Sequence, residues 1–168
     1  MLFRSPQIAV QNVRTGFFER ADFEAVRSHL PEEFRGAVTF AYLTGWLTPS
    51  EVLTLRWKQV DFVAGIVRLE PGTTKNDEGR VFPFGVLQEL ARLLQNQWER
   101  AINLEIATGQ HISSVFYWND KGTLKPIHPK VLYRRWKEAC KRAGVPERIP
   151  HDFRRTAVRN LEIARAHV

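Results

Sequence analysis

Ile149-Pro150-His151-Asp152-Phe153-Arg154-Arg155-Thr156-Ala157 is the stretch that decides how this chain is read. A loop framed by Pro146 and Pro150 runs into a helix whose first turn holds a histidine and an arginine three residues apart. Three residues is about one helical turn, so His151 and Arg154 share a face. The N-terminus of a helix already favours anions, because its first N–H groups are unpaired and its dipole is positive there. An imidazole beside a fixed guanidinium at that place is suited to hold a phosphate. Arg155, next in the chain, is expected to reach backbone phosphates or to pair with a surface carboxylate.

Working outward, the apolar spacing predicts a mostly helical domain. Glu19 to Leu30 reads as a helix with Phe23, Val26 and Leu30 inward. Pro31 opens a second helix through Phe34, Ala37, Val38, Ala41 and Tyr42, and Gly45 ends it. Thr48-Pro49-Ser50-Glu51 is a further helix start, with Thr48 as cap, Pro49 in the first position and Glu51 reaching back. Ile66-Val67-Arg68-Leu69 and Val81-Phe82-Pro83-Phe84 read as short strands of a β-hairpin. The turn-forming run Pro71 to Gly79 joins them and puts Lys75 near the tip. Residues 86 to about 107 form a long amphipathic helix, Val115 to Trp118 a strand, and Pro129 to Ala143 another helix. The expected class is mainly α with a small antiparallel β-sheet (α+β), with residues 1–16 as a tail or linker remnant and 17–168 as the domain.

Composition narrows the classes of function. With 168 residues, one domain with a sizeable core is expected. A hydrophobic share of 43% excludes the compositional signature of disorder. The net charge of +7 favours a polyanionic partner, nucleic acid first. Cys140, the single cysteine, allows no intramolecular disulfide, and the first residues carry no secretory signal, so a cytoplasmic protein without a membrane partner is expected. The five histidines lack metal-ligand spacing, so neither a metal nor a cofactor is expected. Arg134, Arg135, Lys137 and Lys141, with Arg142, make one helix strongly basic; it is either a solvated face or a set of phosphate contacts.

Three segments, in order, resemble the catalytic domain of the tyrosine recombinases of the phage-integrase family. They are Thr44-Gly45-Trp46-Leu47-Thr48-Pro49-Ser50-Glu51-Val52-Leu53-Thr54-Leu55-Arg56-Trp57 with Val60-Asp61; Thr74-Lys75 with Arg80-Val81-Phe82-Pro83; and His151-Asp152-Phe153-Arg154-Arg155-Thr156. The resemblance runs from about Phe17 to about Leu161. It implies a helical domain on duplex DNA that works by metal-free phosphoryl transfer in DNA recombination and integration. In the family a tyrosine attacks the scissile phosphate, two arginines hold its oxygens, a hairpin lysine protonates the leaving oxygen and a histidine assists. By position, Arg154 corresponds to the second arginine, His151 to the histidine and Lys75 to the lysine. Glu51 would buttress the active-site helix.

Two departures from the family pattern set further expectations. The first arginine lies two residues after the Thr-Gly pair, where this chain has Leu47, which cannot donate a hydrogen bond from its side chain. Arg56 is expected to point elsewhere. The tyrosines Tyr42, Tyr117 and Tyr133 all precede His151, so none matches the nucleophile. The expectation is a catalytic domain truncated at its C-terminus and inactive alone, with a homo-oligomer or an intact recombinase on DNA as further partners. The alternatives are a non-catalytic DNA-binding module and a non-functional remnant. Residue by residue, His151 could instead cap its helix, Arg154 could serve a surface ion pair, and Lys75 could be a solvated turn lysine.

Overall fold

The structure is a computed structural model that describes residues 17–72, 79–145 and 152–166, with the side chains of the last helix described through Ile163. The elements run α1 (Arg20–Ser28), α2 (Glu32–Thr44), β1 (Val60–Asp61), β2 (Ile66–Leu69), β3 (Arg80–Pro83), α3 (Gln88–Thr108), β4 (Tyr117–Asp120), β5 (Thr123–Pro126), α4 (Pro129–Ala143) and α5 (Phe153–Ala166). The tail expected over residues 1–16 lies outside the described residues.

Helix α2 is the centre of the packing. Phe34, Ala37, Val38, Thr39, Phe40, Ala41, Tyr42 and Thr44 are all buried, as expected for a helix covered on most sides. It touches α1, α3, α5, β4 and the turn that follows it. Arg35 on α2 donates to the carbonyls of Leu30 (2.9 Å) and Ser28 (3.1 Å), which satisfies orphan acceptors at the end of α1. Gly45 closes α2 in the left-handed conformation, φ +69°, a region that costs any residue with a Cβ.

The start of α5 is fixed by an aromatic cluster. The Phe153 ring lies 5.4 Å from Phe18, 5.7 Å from Phe23, 5.6 Å from Tyr42 and 5.3 Å from Trp136, each roughly edge to face. Two polar bonds reinforce it: the Phe18 N–H donates to Thr156 Oγ1 (2.8 Å), and the Tyr42 hydroxyl donates to the Phe18 carbonyl (3.2 Å). Chain segments far apart in sequence thereby set the position of Arg154.

The strands form two antiparallel sheets. In β1-β2-β3, Val67 pairs with Val60 on one side and Phe82 on the other. Along β2, Val67 and Leu69 are buried while Arg68 is exposed, the alternation of a sheet with one covered face. The expected hairpin is present, one residue earlier on its second strand; β1, only two residues long, leaves no periodic signal. The strand expected at Val115–Trp118 is displaced to Tyr117–Asp120, because Val115 N–H is taken by the Leu55 carbonyl (3.0 Å). It pairs with β5 through the two-residue turn Lys121-Gly122, both at positive φ, which matches the right-handed strand twist.

One local expectation fails. Thr48 to Val52 is a single π-helical turn, Leu47 stands at its cap, and the Thr48 hydroxyl is buried without a hydrogen-bond partner. Glu51 does reach back, one residue further than a capping box requires.

Candidate functional site

Arg154 lies in the first turn of α5, exposed, and its guanidinium takes no partner among the described residues. Its backbone is pressed against the end of α2. A Cβ added at Gly45 would lie 2.9 Å from the Ala157 Cβ and 3.3 Å from the Arg154 Cα. Only a glycine permits that approach, so the turn after α2, which carries Leu47, sits directly beside the start of α5.

A buried carboxylate ties in the third segment. Glu51 accepts the Leu47 N–H at 2.8 Å through one oxygen and Arg80 Nη1 at 3.1 Å through the other. Arg80 begins β3, so the root of the β2–β3 hairpin is held against the turn. Sequence reasoning quoted Arg80 within a motif but gave it no role; its place straight after the hairpin loop was the available signal. Arg56, by contrast, donates to Ser113 Oγ (2.8 Å) and Ser114 Oγ (3.1 Å) and belongs to a different neighbourhood.

The Gly45–Arg154 contact and the Leu47–Glu51–Arg80 bridge join described residues of all three sequence segments. The phage integrase family model matches residues 21–166. The chain belongs to the phage integrase family. It is 28% identical over 169 residues to an integrase of Salmonella phage P22, an alignment spanning 93% of this chain and 40% of that protein. Its fold is similar to the crystal structure of XerA recombinase, with a TM-score of 0.65 at 13% identity over 88% of this chain and 50% of that one. The chain thus spans half or less of the relatives it matches.

Within this integrase-family fold, His151 and Lys75 lie outside the described residues. Arg155 is exposed next to Arg154. Together with Phe17, Asp152, Val158, Arg159 and Glu162 these two arginines line a shallow groove of about 500 Å³. Arg159 is held structurally: it forms a two-pronged pair with Glu19 (2.7 and 3.0 Å) and lies 4.0 Å over the Phe17 ring. Its pKa is raised by the Glu19 bond.

On α4, Arg134, Lys137 and Lys141 are exposed and fall three and four residues apart, one helical stripe. Arg135 is half-buried and pairs with Glu138 at 3.3 Å, so it lies off that stripe. The inward side of α4 carries Leu132, Trp136, Ala139 and Cys140. Cys140 is a buried core residue, and the Trp136–Phe153 contact docks α4 on α5. Tyr42 and Tyr117 are buried, Tyr133 projects from α4, and burial raises the pKa of each.

Among the described residues no helix is long and apolar enough to cross a membrane, and no group of three His, Cys, Asp or Glu side chains is arranged to hold a metal.

Proposed function

We propose that this chain is the DNA-binding catalytic region of an integrase-type tyrosine recombinase, and that it holds a phosphodiester of duplex DNA at the start of α5. The observation that supports the reading is the close approach of Gly45 to the Arg154 backbone: an exposed arginine, with no side-chain partner among the described residues, starts from the helix turn packed against the turn that the family pattern uses for phosphate binding. Arg154 donates to the non-bridging oxygens, with Arg155 beside it. By the family pattern, His151 assists proton movement and Lys75 protonates a leaving oxygen. Arg134, Lys137 and Lys141 contact the backbone of the duplex; Arg135, engaged with Glu138, contributes less. A second copy of the chain, or an intact recombinase, on the same DNA is the expected macromolecular partner, and no metal or cofactor takes part.

The polypeptide is proposed not to cut DNA by itself. Leu47 brings no guanidinium to the position where the family pattern has its first arginine; unreplaced, that loss is on the order of 10³–10⁵ in rate by analogy with arginine fingers. Tyr42 and Tyr117 are buried, and Tyr133 lies on α4 rather than on α5. Two measurements test these statements. Duplex binding should weaken steeply as salt rises, since each neutralised phosphate releases counterions; salt-independent binding, or none at low salt, refutes the DNA reading. A suicide substrate should yield no covalent protein–DNA adduct, and an adduct refutes the inactivity.

A further inference from the structure

Position 47 contributes a backbone N–H and no charge, and that N–H is given to Glu51. The other oxygen of the same carboxylate holds Arg80. Glu51 is 1% exposed and Arg80 33% exposed, so the pair is anchored inside and open outside. A guanidinium has five donors. Nη1 is the only nitrogen of Arg80 engaged among the described residues, which leaves an edge of the fork to donate elsewhere. Arg56, which follows Leu47 in the same sequence motif, is bonded to Ser113 and Ser114 in a different neighbourhood. From the Gly45–Arg154 contact and two ~3.8 Å peptide links, the Leu47 N–H and the Arg154 Cα are at most about 11 Å apart. Arg80 Nη1 bonds the same carboxylate that accepts the Leu47 N–H, so the Arg80 fork stands on the Leu47 side of the Gly45–Arg154 contact.

We propose that Arg80, held by Glu51, supplies the phosphate-binding cation that position 47 lacks. The inference rests on the phosphate-binding reading above. Its physical basis is that a guanidinium can bond a carboxylate on one edge and a phosphate oxygen on another, whereas an ammonium on a lysine stem cannot reach both in fixed geometry.

The test is duplex binding by fluorescence anisotropy across a salt series, for the 168-residue chain and for its Arg80→Lys, Arg80→Lys/Leu47→Arg and Arg154→Ala variants. Arg80→Lys keeps a positive partner for Glu51 and loses the fork. It should weaken binding roughly tenfold and lower the salt slope by about one. Adding Leu47→Arg should restore both, because the charge returns at the neighbouring position. Should Arg80→Lys fold poorly, the Glu51→Gln/Arg80→Gln double variant removes both charges and should show the same loss of slope. If Arg154→Ala lowers the slope while the Arg80 variants leave it unchanged, the role of Arg80 is overturned and the phosphate reading stands. A loss of affinity accompanied by a lower melting temperature, unchanged slope and no rescue by Leu47→Arg assigns Arg80 to structure alone and also overturns it. A wild-type chain without salt-dependent binding removes the phosphate reading, and this inference with it.

Discussion

Gly45 and Ala157 pack so closely that a methyl group on the glycine would sit 2.9 Å from the alanine Cβ. That contact fixes α2 against α5 and places the Leu47 turn next to Arg154. Two costs therefore meet in Gly45→Ala: a residue with a Cβ in the left-handed region loses about 1–2 kcal/mol, and overpacking adds about 1–3 kcal/mol. The expected destabilisation is about 2–5 kcal/mol, measured as a shift of the urea midpoint at constant slope. A change below about 0.5 kcal/mol would mean that the helices separate freely there.

The Leu47–Glu51–Arg80 bridge makes a coupled pair. Glu51→Leu leaves the Leu47 N–H without its acceptor and Arg80 without its anion, and should cost about 1–3 kcal/mol. In a double-mutant cycle with Arg80→Met, the second change should cost little once the first is made, giving a coupling of about 0.5–3 kcal/mol. Additive costs would show that the two side chains act independently.

Leu47 is half-buried at the cap of the π-helical turn, so a longer side chain can leave along the surface. Leu47→Arg should tighten duplex binding several-fold at low salt and raise the salt slope by about one. An unchanged slope would place position 47 away from DNA.

The tyrosines give a contrast at neutral pH and a shared response to alkali. The Tyr42 hydroxyl donates to the Phe18 carbonyl, so Tyr42→Phe should cost about 0.5–1.5 kcal/mol. The Tyr117 hydroxyl is buried without a partner, so Tyr117→Phe should be neutral or stabilising. Both pKa values are raised by burial, in Tyr42 against the opposing pull of Asn160, Arg20 and Arg159. A folded-state value above the unfolded one means that the folded protein holds its proton longer. The stability linked to these groups is complete below about pH 10 and is lost as pH rises through the folded-state values. Urea midpoints between pH 8 and 11 should fall, and less steeply in Tyr42→Phe; parallel curves would contradict the linkage.

Much of this was legible along the chain. Pro31, Gly45, Pro129 and the apolar spacing between them locate α2 and α4, because helix ends and amphipathic faces are written in local residue order. The hairpin at Ile66–Leu69 could be read from its turn-rich connection. β1 and β5 could not, since two or four residues without a periodic pattern become strands only when a neighbour supplies the hydrogen bonds. The hydroxyl of Thr48, expected to cap a helix, is buried without a partner among the described residues, and the N-cap position of that turn falls to Leu47, whose N–H bonds Glu51.

Residue order alone determined the family and the identities of Arg154, Glu51 and Leu47, since a motif is a statement about spacing, and spacing is carried by covalent bonds. Only the folded chain decided that the Arg154 backbone packs at the end of α2 while its side chain takes no partner among the described residues, that Arg56 is engaged with Ser113 and Ser114, and that Arg80 shares a carboxylate with the Leu47 backbone. Those assignments depend on which polar groups meet across sequence separations such as 29 and 58 residues. Such meetings are set by the packing of the apolar core that lies between them, which no local stretch of sequence encodes.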